Sequence, residues 1–355
     1  MIKAGYILLL LILISGWNRA FAQSDIRETV IDSNYIVSYT DVFTPRFVFI
    51  TKRNEFDVEN VSFDSTSQNT TTLTFRPNDP LSIGLGFTYK WLGINLAFNV
   101  PAGTKSEALY GKTKRFDLGT HIYGRKLIVD LTFQWYRGYY LSNPQGIIPG
   151  WEQGDPYPSR SDVKVSTYGT AAFYVFKNQK FSYRAAFTYN ERQKKSAGSA
   201  IVGAGLSGYF IRADSSIVNK DFLQSQGSEG FNKVNIGNYY AVGGYAHTFV
   251  IKYFYLSLTL GVGLGVNSSK VFFEDSGKTH NSGASIVSLF RTSFGYNNDK
   301  FYIGLSLYNS NFSLGSQPNI GVNYSYTSLN INVGYRFYHV FDKKEPLPWL
   351  WDLKI

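Results

Sequence analysis

The chain has 355 residues, with 35 Lys and Arg against 25 Asp and Glu for a formal net charge of +10, and it has no cysteine. The missing cysteine excludes a disulfide-stapled secreted scaffold, and a chain of this length buries a core without one. Aromatic residues make up 17% of the sequence, as many as the charged ones; a soluble domain carries about a quarter charged residues, so an ordinary soluble surface is disfavoured.

The first predicted element is an export signal. Lys3 supplies a basic start, Tyr6 to Ile14 is an unbroken apolar run, and Ala20-Phe21-Ala22 is an A-x-A cleavage site. Residues 1–22 are therefore expected to be removed, leaving a mature chain from Gln23. The run is too short for a bilayer-spanning helix, and no later stretch approaches the ~18 apolar residues one needs. Loss of Lys3 and Arg19 lowers the charge from +10 to +8. The remaining basic residues are scattered, which favours anionic surroundings such as lipopolysaccharide only modestly and gives no reason to expect nucleic acid.

After a polar segment, 23–44, the chain reads as strands. Two weaker candidates, 45–53 and 69–76, precede six in the first half: 80–90, 91–100, 113–124, 126–139, 162–176 and 180–190. Six more follow at 199–212, 237–250, 252–266, 284–296, 299–310 and 326–340. The clearest is YFYLSLTLGVGLGVN (253–267), with Phe254, Leu256, Leu258, Leu260, Val262, Leu264 and Val266 alternating against Tyr255, Ser257, Thr259 and glycines. Period-two alternation means a strand with one apolar face.

Hairpin register checks the assignment. A turn at Trp91-Leu92 pairs Tyr89 with Ile94 and Phe87 with Leu96; one at Gly124-Arg125 pairs Ile122 with Leu127. Turns at 250–253 and 297–300 set Phe249 against Phe254 and Tyr296 against Phe301. In all four the apolar faces align, and a one-residue slip would oppose apolar to polar.

Strand length separates a sandwich from a membrane barrel. The segments run 10–15 residues, against five or six in soluble proteins and about 9–11 for a tilted membrane crossing. Their second face is Gly, Ser, Thr, Asn and Tyr, which suits a lumen. Short turns alternate with long connections at 139–161, 267–283 and 311–325, as in barrels with short periplasmic turns. The prediction is all-β: a transmembrane antiparallel up-and-down β-barrel of about 12–14 strands over 45–341, with 23–44 and 342–355 as periplasmic segments. The alternation of short and long connections breaks between 190 and 237, which requires either a further strand in 213–236 or a long periplasmic excursion. The last strand, LNINVGYRFYHVF (329–341), resembles the terminal assembly signal of outer-membrane barrels, and Trp349 and Trp351 beyond it are candidate interface anchors.

FRPNDPLSIGLGFTYKWLGINLAF (75–98) and FSYRAAFTYNERQKKSAGS (181–199) resemble a family of Bacteroidota-type outer-membrane proteins known only as a domain of unknown function. The likeness runs from about Arg46 to Phe341. It implies a barrel in the outer membrane and brings no activity or catalytic residues.

Chemistry-bearing motifs are few. GAGLSG (203–208) fits G-x-G-x-x-G, yet YFIRADSS follows it where a dinucleotide site needs a helix; small residues on a barrel wall explain it better. The four histidines form no ligand cluster, so neither metal nor cofactor is expected. His121 and Asp130 form the one candidate catalytic pair, both facing the lumen as diagonal neighbours; a buried lumenal hydrogen bond is the better account of them, because buried polar groups need partners. Lys90, Asp117, Arg125, Lys164, Arg184 and Arg336 are assigned to the same face, and with Tyr136 and Tyr168 they point to a narrow or occluded lumen. The loop 139–161 carries Tyr, Trp and acidic residues that together can make a sugar-stacking surface, though an aromatic girdle and loop packing explain them as well.

The sequence favours a non-enzymatic outer-membrane barrel, a narrow pore or surface scaffold. Its expected partners are outer-membrane lipid, lipopolysaccharide, the barrel-assembly machinery and a small solute or glycan. The alternatives are a membrane-embedded hydrolase acting on lipid or lipopolysaccharide through His121 and Asp130, and a secreted β-sandwich that binds carbohydrate.

Overall fold

The computed structural model describes residues 31–61, 71–78, 81–90, 92–100, 106–217, 230–273, 277–313 and 321–341. The expected signal peptide and the tail with Trp349 and Trp351 lie outside them. The strands are β1 (Ile36–Ser38), β2 (Thr44–Val61), β3 (Thr71–Arg76), β4 (Ser82–Tyr89), β5 (Leu92–Asn99), β6 (Lys114–Tyr123), β7 (Leu127–Leu141) and β8 (Ser159–Val175). They continue as β9 (Glu191–Gln193), β10 (Ala197–Arg212), β11 (Phe231–Ile251), β12 (Phe254–Phe273), β13 (Lys278–Asn297), β14 (Phe301–Ser313) and β15 (Gly321–Tyr335). Two single-turn helices, α1 (Glu107–Tyr110) and α2 (Tyr183–Phe187), interrupt them.

Thirteen strands form one antiparallel sheet. Pairing of β15 with β2, from Gly334 opposite Arg46 to Gly321 opposite Glu59, closes it into a barrel. The closed ring of ten runs through β2, β3, β7, β8 and β10 to β15. β3 fills the wall between β2 and β7 at the end with long loops. At the end with short turns the β4–β5 hairpin hangs from β2, and β6 from β7.

Side chains sort by parity. On β12, Phe254, Leu256, Leu260, Val262, Leu264 and Val266 face outward, while Tyr255, Ser257 and Thr259 are buried inside. Leu264 and, on the next strand, Ile286 are 74% and 78% exposed. An apolar belt of this extent around a closed sheet is stable against hydrocarbon and not against water. The fold is a transmembrane β-barrel. β11, β12 and β13 are 20 or 21 residues long, about twice a membrane crossing, so their polar loop-end halves, such as Asn267 to Lys270, stand clear of the hydrocarbon.

Three details correct the sequence reading. All four hairpins keep their faces but shift register by two: Phe87 pairs with Ile94, Ile122 with Val129, Phe249 with Leu256 and Tyr296 with Ile303. The turns lie one position from those expected; Lys90 and Lys252 take positive φ in two of them. The segment 180–190 is no wall strand. FSYRAAF carries apolar residues at both period two and helical spacing, and Ser182 decides for the helix by accepting the Ala185 N–H at 3.1 Å. Residues 176–196 are thus a single excursion at the turn end, which resolves the broken alternation of connections. β9 within it pairs with β1, Ile36 opposite Gln193.

The lumen holds two apolar cores. At the loop end Phe56, Phe75, Tyr139, Ile211, Phe231 and Tyr324 pack together from the wall strands themselves. At the turn end Phe173, Tyr255 and Tyr302 pack around Tyr183, Phe187 and Tyr189 of the 176–196 excursion.

Candidate functional site

The turn-end core is a folded plug. Ser182 caps α2 and donates to Glu191 Oε2 at 2.6 Å; Glu191, fully buried, meets Arg125 at 2.9 Å and Arg184 at 3.4 Å. Buried charges need such compensation. Wall strands grip the helix: Tyr183 Oη hydrogen-bonds Thr259 Oγ1 at 2.6 Å, and Ser293 Oγ donates to the Ala186 carbonyl at 2.7 Å. Tyr189 stacks on Tyr302 with centroids 4.1 Å apart. Only glycine fits beneath it at position 304, where a Cβ would lie 2.2 Å from Tyr189 Oη.

A clasp holds the plug to the last strand. Arg336, 1% exposed, donates to the Tyr189 carbonyl at 2.6 Å, to Asn297 Oδ1 at 2.9 Å and to the Asn298 carbonyl. Its guanidinium lies 3.8 Å from the centre of the Tyr39 ring. Tyr39 donates to Asp299 Oδ1 at 2.5 Å, and Arg192 donates to both, at 3.0 and 2.8 Å. Burial, reinforced by Asp299, pushes the Tyr39 phenol up to about 12, and the Tyr39 hydrogen bond with Arg192 holds Asp299 below the usual carboxylate range.

Between the two cores lies a chamber of about 100 Å³; roughly 10–15 Å³ on that scale holds one water. His121 on β6 stands directly opposite Asp130 on β7, Nδ1 to Oδ1 2.7 Å, rather than diagonal to it. Arg291 on β13 closes on both oxygens of Asp130 and stacks over the Phe173 ring at 4.8 Å. Tyr308 lies flat on His121, centroids 4.6 Å apart. One layer towards the loop end, Asp117 accepts from Gln134 Nε2 at 3.1 Å and from Tyr136 Oη, and pairs with Lys52 at 2.6 Å.

The expected lumenal residues therefore divide. His121 and Asp130 meet in the chamber with Asp117 beside them, whereas Arg125 and Arg184 meet at Glu191 in the plug and Arg336 forms the clasp. Three assignments are corrected. Lys90 occupies the β4–β5 turn at φ 52°. Lys164 has the parity of the outward face, opposite Arg137 and Arg212 near the loop end, 3.8 Å from Asp214. Tyr168 also faces out, in ring contact with Phe133 and Phe210. Arg291, Glu191 and Gln134 escaped the sequence reading; Arg291 alone carried a signal, as a single charge at an inward position of a long strand.

No hydroxyl hydrogen-bonds His121 among the described residues, so no nucleophile joins the pair. No group of three metal-ligating side chains exists among them. In the 139–161 loop Tyr157 contacts Tyr110, Tyr140 and Trp151 at centroid distances of 4.7–5.5 Å, so these rings cover one another. Gly203 and Gly205 of GAGLSG leave room for the Phe173 and Tyr240 rings, where a Cβ would sit 2.4–2.5 Å away.

Among solved structures, the chain is similar to the outer membrane protease OmpT of Escherichia coli, with 8% identity over 85% of this chain and 98% of that one at a TM-score of 0.35. It is also similar to the translocator domain of the autotransporter NalP of Neisseria meningitidis, with 9% identity, 82% and 88% covered and a TM-score of 0.31. For the toluene transporter TodX of Pseudomonas putida the figures are 7%, 84%, 91% and 0.28. Comparison by sequence with curated proteins gives no match. The family model described as a domain of unknown function, DUF4421, matches residues 30–337, and the chain belongs to that family.

Proposed function

We propose that this protein is a non-enzymatic outer-membrane barrel sealed along its axis, a scaffold around an internal chamber rather than a porin. The observation that carries this reading is the pair of apolar cores filling the lumen on either side of the chamber. A barrel of this size has room for a channel or a ligand cavity, and here side chains and the plug occupy the rest. Outer-membrane lipid and lipopolysaccharide are its surroundings in this reading, reached through the barrel-assembly machinery.

Planar-bilayer recording tests it. The purified full chain is expected to give no conductance steps. Replacing 176–196 by an Asn-Gly turn should leave it silent, because the loop-end core remains. A steady open channel from the unmodified protein would overturn the reading. The hydrolase alternative has its His–Asp pair but no assembled nucleophile among the described residues.

A further inference from the structure

The wall is discontinuous at one place. Among the described residues β5 pairs with β4 alone and β6 with β7 alone, so the edges of β5 and β6 face each other without a ladder. On β12, by contrast, the inward Tyr255, Ser257 and Thr259 are buried. On β5 both faces are exposed: Ile94, Leu96 and Phe98 outward, Gly93, Asn95 and Ala97 inward. An unsatisfied backbone group in hydrocarbon costs several kcal/mol, and irregular edges persist at membrane depth only where they line a cavity.

We propose that the gap between β5 and β6 is a side entrance to the chamber. Through it the chamber takes the head of an uncharged, hydroxyl-bearing amphiphile whose apolar tail stays in the membrane. The inference rests on the chamber of the sealed barrel, and not on whether the plug moves.

The chemistry of rim and chamber selects this class. Leu96, Phe98, Leu118 and Ile122 give the mouth an apolar outer rim, while Gly93, Ala97 and Gly119 keep its inner side small. On β6 the chamber is lined by His121, two residues from Gly119, and a Cβ on Gly119 would lie 3.9 Å from Oη of Tyr326, another lining residue. Inside, Asp130 is compensated by Arg291 and His121, and Asp117 by Lys52, so a charged head meets a site already neutralised. Two polar atoms of the lining have no partner among the described residues, Ser207 Oγ and Gln134 Oε1. Gln134 is 1% exposed; its Nε2 is committed to Asp117, and its Oε1 accepts from no donor among the described residues. A buried acceptor in that state calls for a donor, which an alcohol or phenol supplies and a carboxylate or hydrocarbon does not. The chamber's volume suits a head of a few atoms and leaves the tail in the gap.

The test uses the full chain in detergent micelles, with 1-decanol, decanoate and decane as probes in equilibrium dialysis. Decanol is expected to bind saturably at one per barrel, with decanoate and decane at least about tenfold weaker, the loss of one hydrogen bond. Gln134→Leu should lose about the same factor for decanol and leave decane unchanged. Gly119→Phe, which blocks the gap, should abolish decanol binding in a barrel that still shows its heat-modifiable band. A measurement on the unaltered protein stands beside these: alternate amides of residues 93–98 should exchange with deuterium far faster than those of 257–264. Absent or unselective decanol binding overturns the proposal. So does full protection of the β5 amides, the result if a second copy or another strand of this chain pairs with that edge. Decanol binding together with axial conductance would sink the sealed-lumen reading and spare the side entrance; silence without binding would do the reverse.

Discussion

The two seals of the lumen are built differently. The loop-end core consists of side chains that belong to the wall, such as Phe56 on β2, Phe75 on β3 and Phe231 on β11. The turn-end core borrows Tyr183, Phe187 and Tyr189 from a segment that is not wall at all, fixed by caps, carbonyl contacts and a guanidinium. The first seal cannot be removed without dismantling the barrel; the second is a folded insert. Phe56→Ala gives the largest contrast. Phe56 is buried and stacks on Phe75 at 4.9 Å, and emptying such a site costs about 3–5 kcal/mol. Urea unfolding from vesicles should register that loss over the whole barrel, with the heat-modifiable band disappearing at lower temperature.

Arg336→Ala breaks the other seal more gently. It removes three hydrogen bonds and a ring contact at one place, and leaves the Tyr189 and Asn298 carbonyls to find other donors, about 2–3 kcal/mol in all. Because the wall ladders β14–β15 and β15–β2 are untouched, the loss should fall on the plug. Limited trypsin digestion is expected to cut at Lys177, Lys180, Lys194 or Lys195 in the variant while the barrel stays folded. Resistance equal to that of the unaltered protein would mean that packing of Tyr183 and Phe187, and not the clasp, holds the insert.

The same contrast explains what the sequence disclosed. Wall strands obey one rule, apolar out and small or polar in, and that rule was legible wherever it held, from β4 to β15. It fixes which way a side chain points but not what it pairs with: sliding a hairpin by two residues preserves both faces, and each of the four predicted registers erred by that amount. The His121–Asp130 pair survived the slip because parity put both inside, and the true register only brought them closer. The plug obeys no such rule. Phe181, Tyr183, Ala185, Phe187 and Tyr189 alternate as a strand would, and only the Ser182 cap distinguishes the helix. Lys164 lies where β8 has risen past the apolar belt, so a charge on the outer face there carries no penalty and inward assignment by charge alone failed. The free edge of β5 is a relation between strands, invisible to a pattern read along one of them.

The smallest effect concerns the clasp's proton balance. Asp299 holds a carboxylate below its ordinary range because Tyr39 and Arg192 hydrogen-bond it; unfolded, it would titrate near about 3.9. A depressed folded value contributes stability above the unfolded one and loses it as pH falls through the folded one. Asp299 is largely exposed, so solvent screening keeps the contribution small. Tyr39 is buried and runs the opposite way. Its folded value of about 12 exceeds the unfolded one of about 10, so its contribution is complete below pH ~10 and vanishes as pH rises through 12. Hydrogen-exchange protection in residues 182–193, relative to the intrinsic rate at each pH, should therefore fall at both extremes, below about pH 4 and above about pH 10, while protection at the loop-end core stays flat. Asp299→Asn should erase the acid limb and keep the alkaline one, and Tyr39→Phe should erase the alkaline limb. If the loop-end core lost protection in step with the plug, the two seals would be one cooperative unit, and the distinction between wall and insert would be architectural without being energetic.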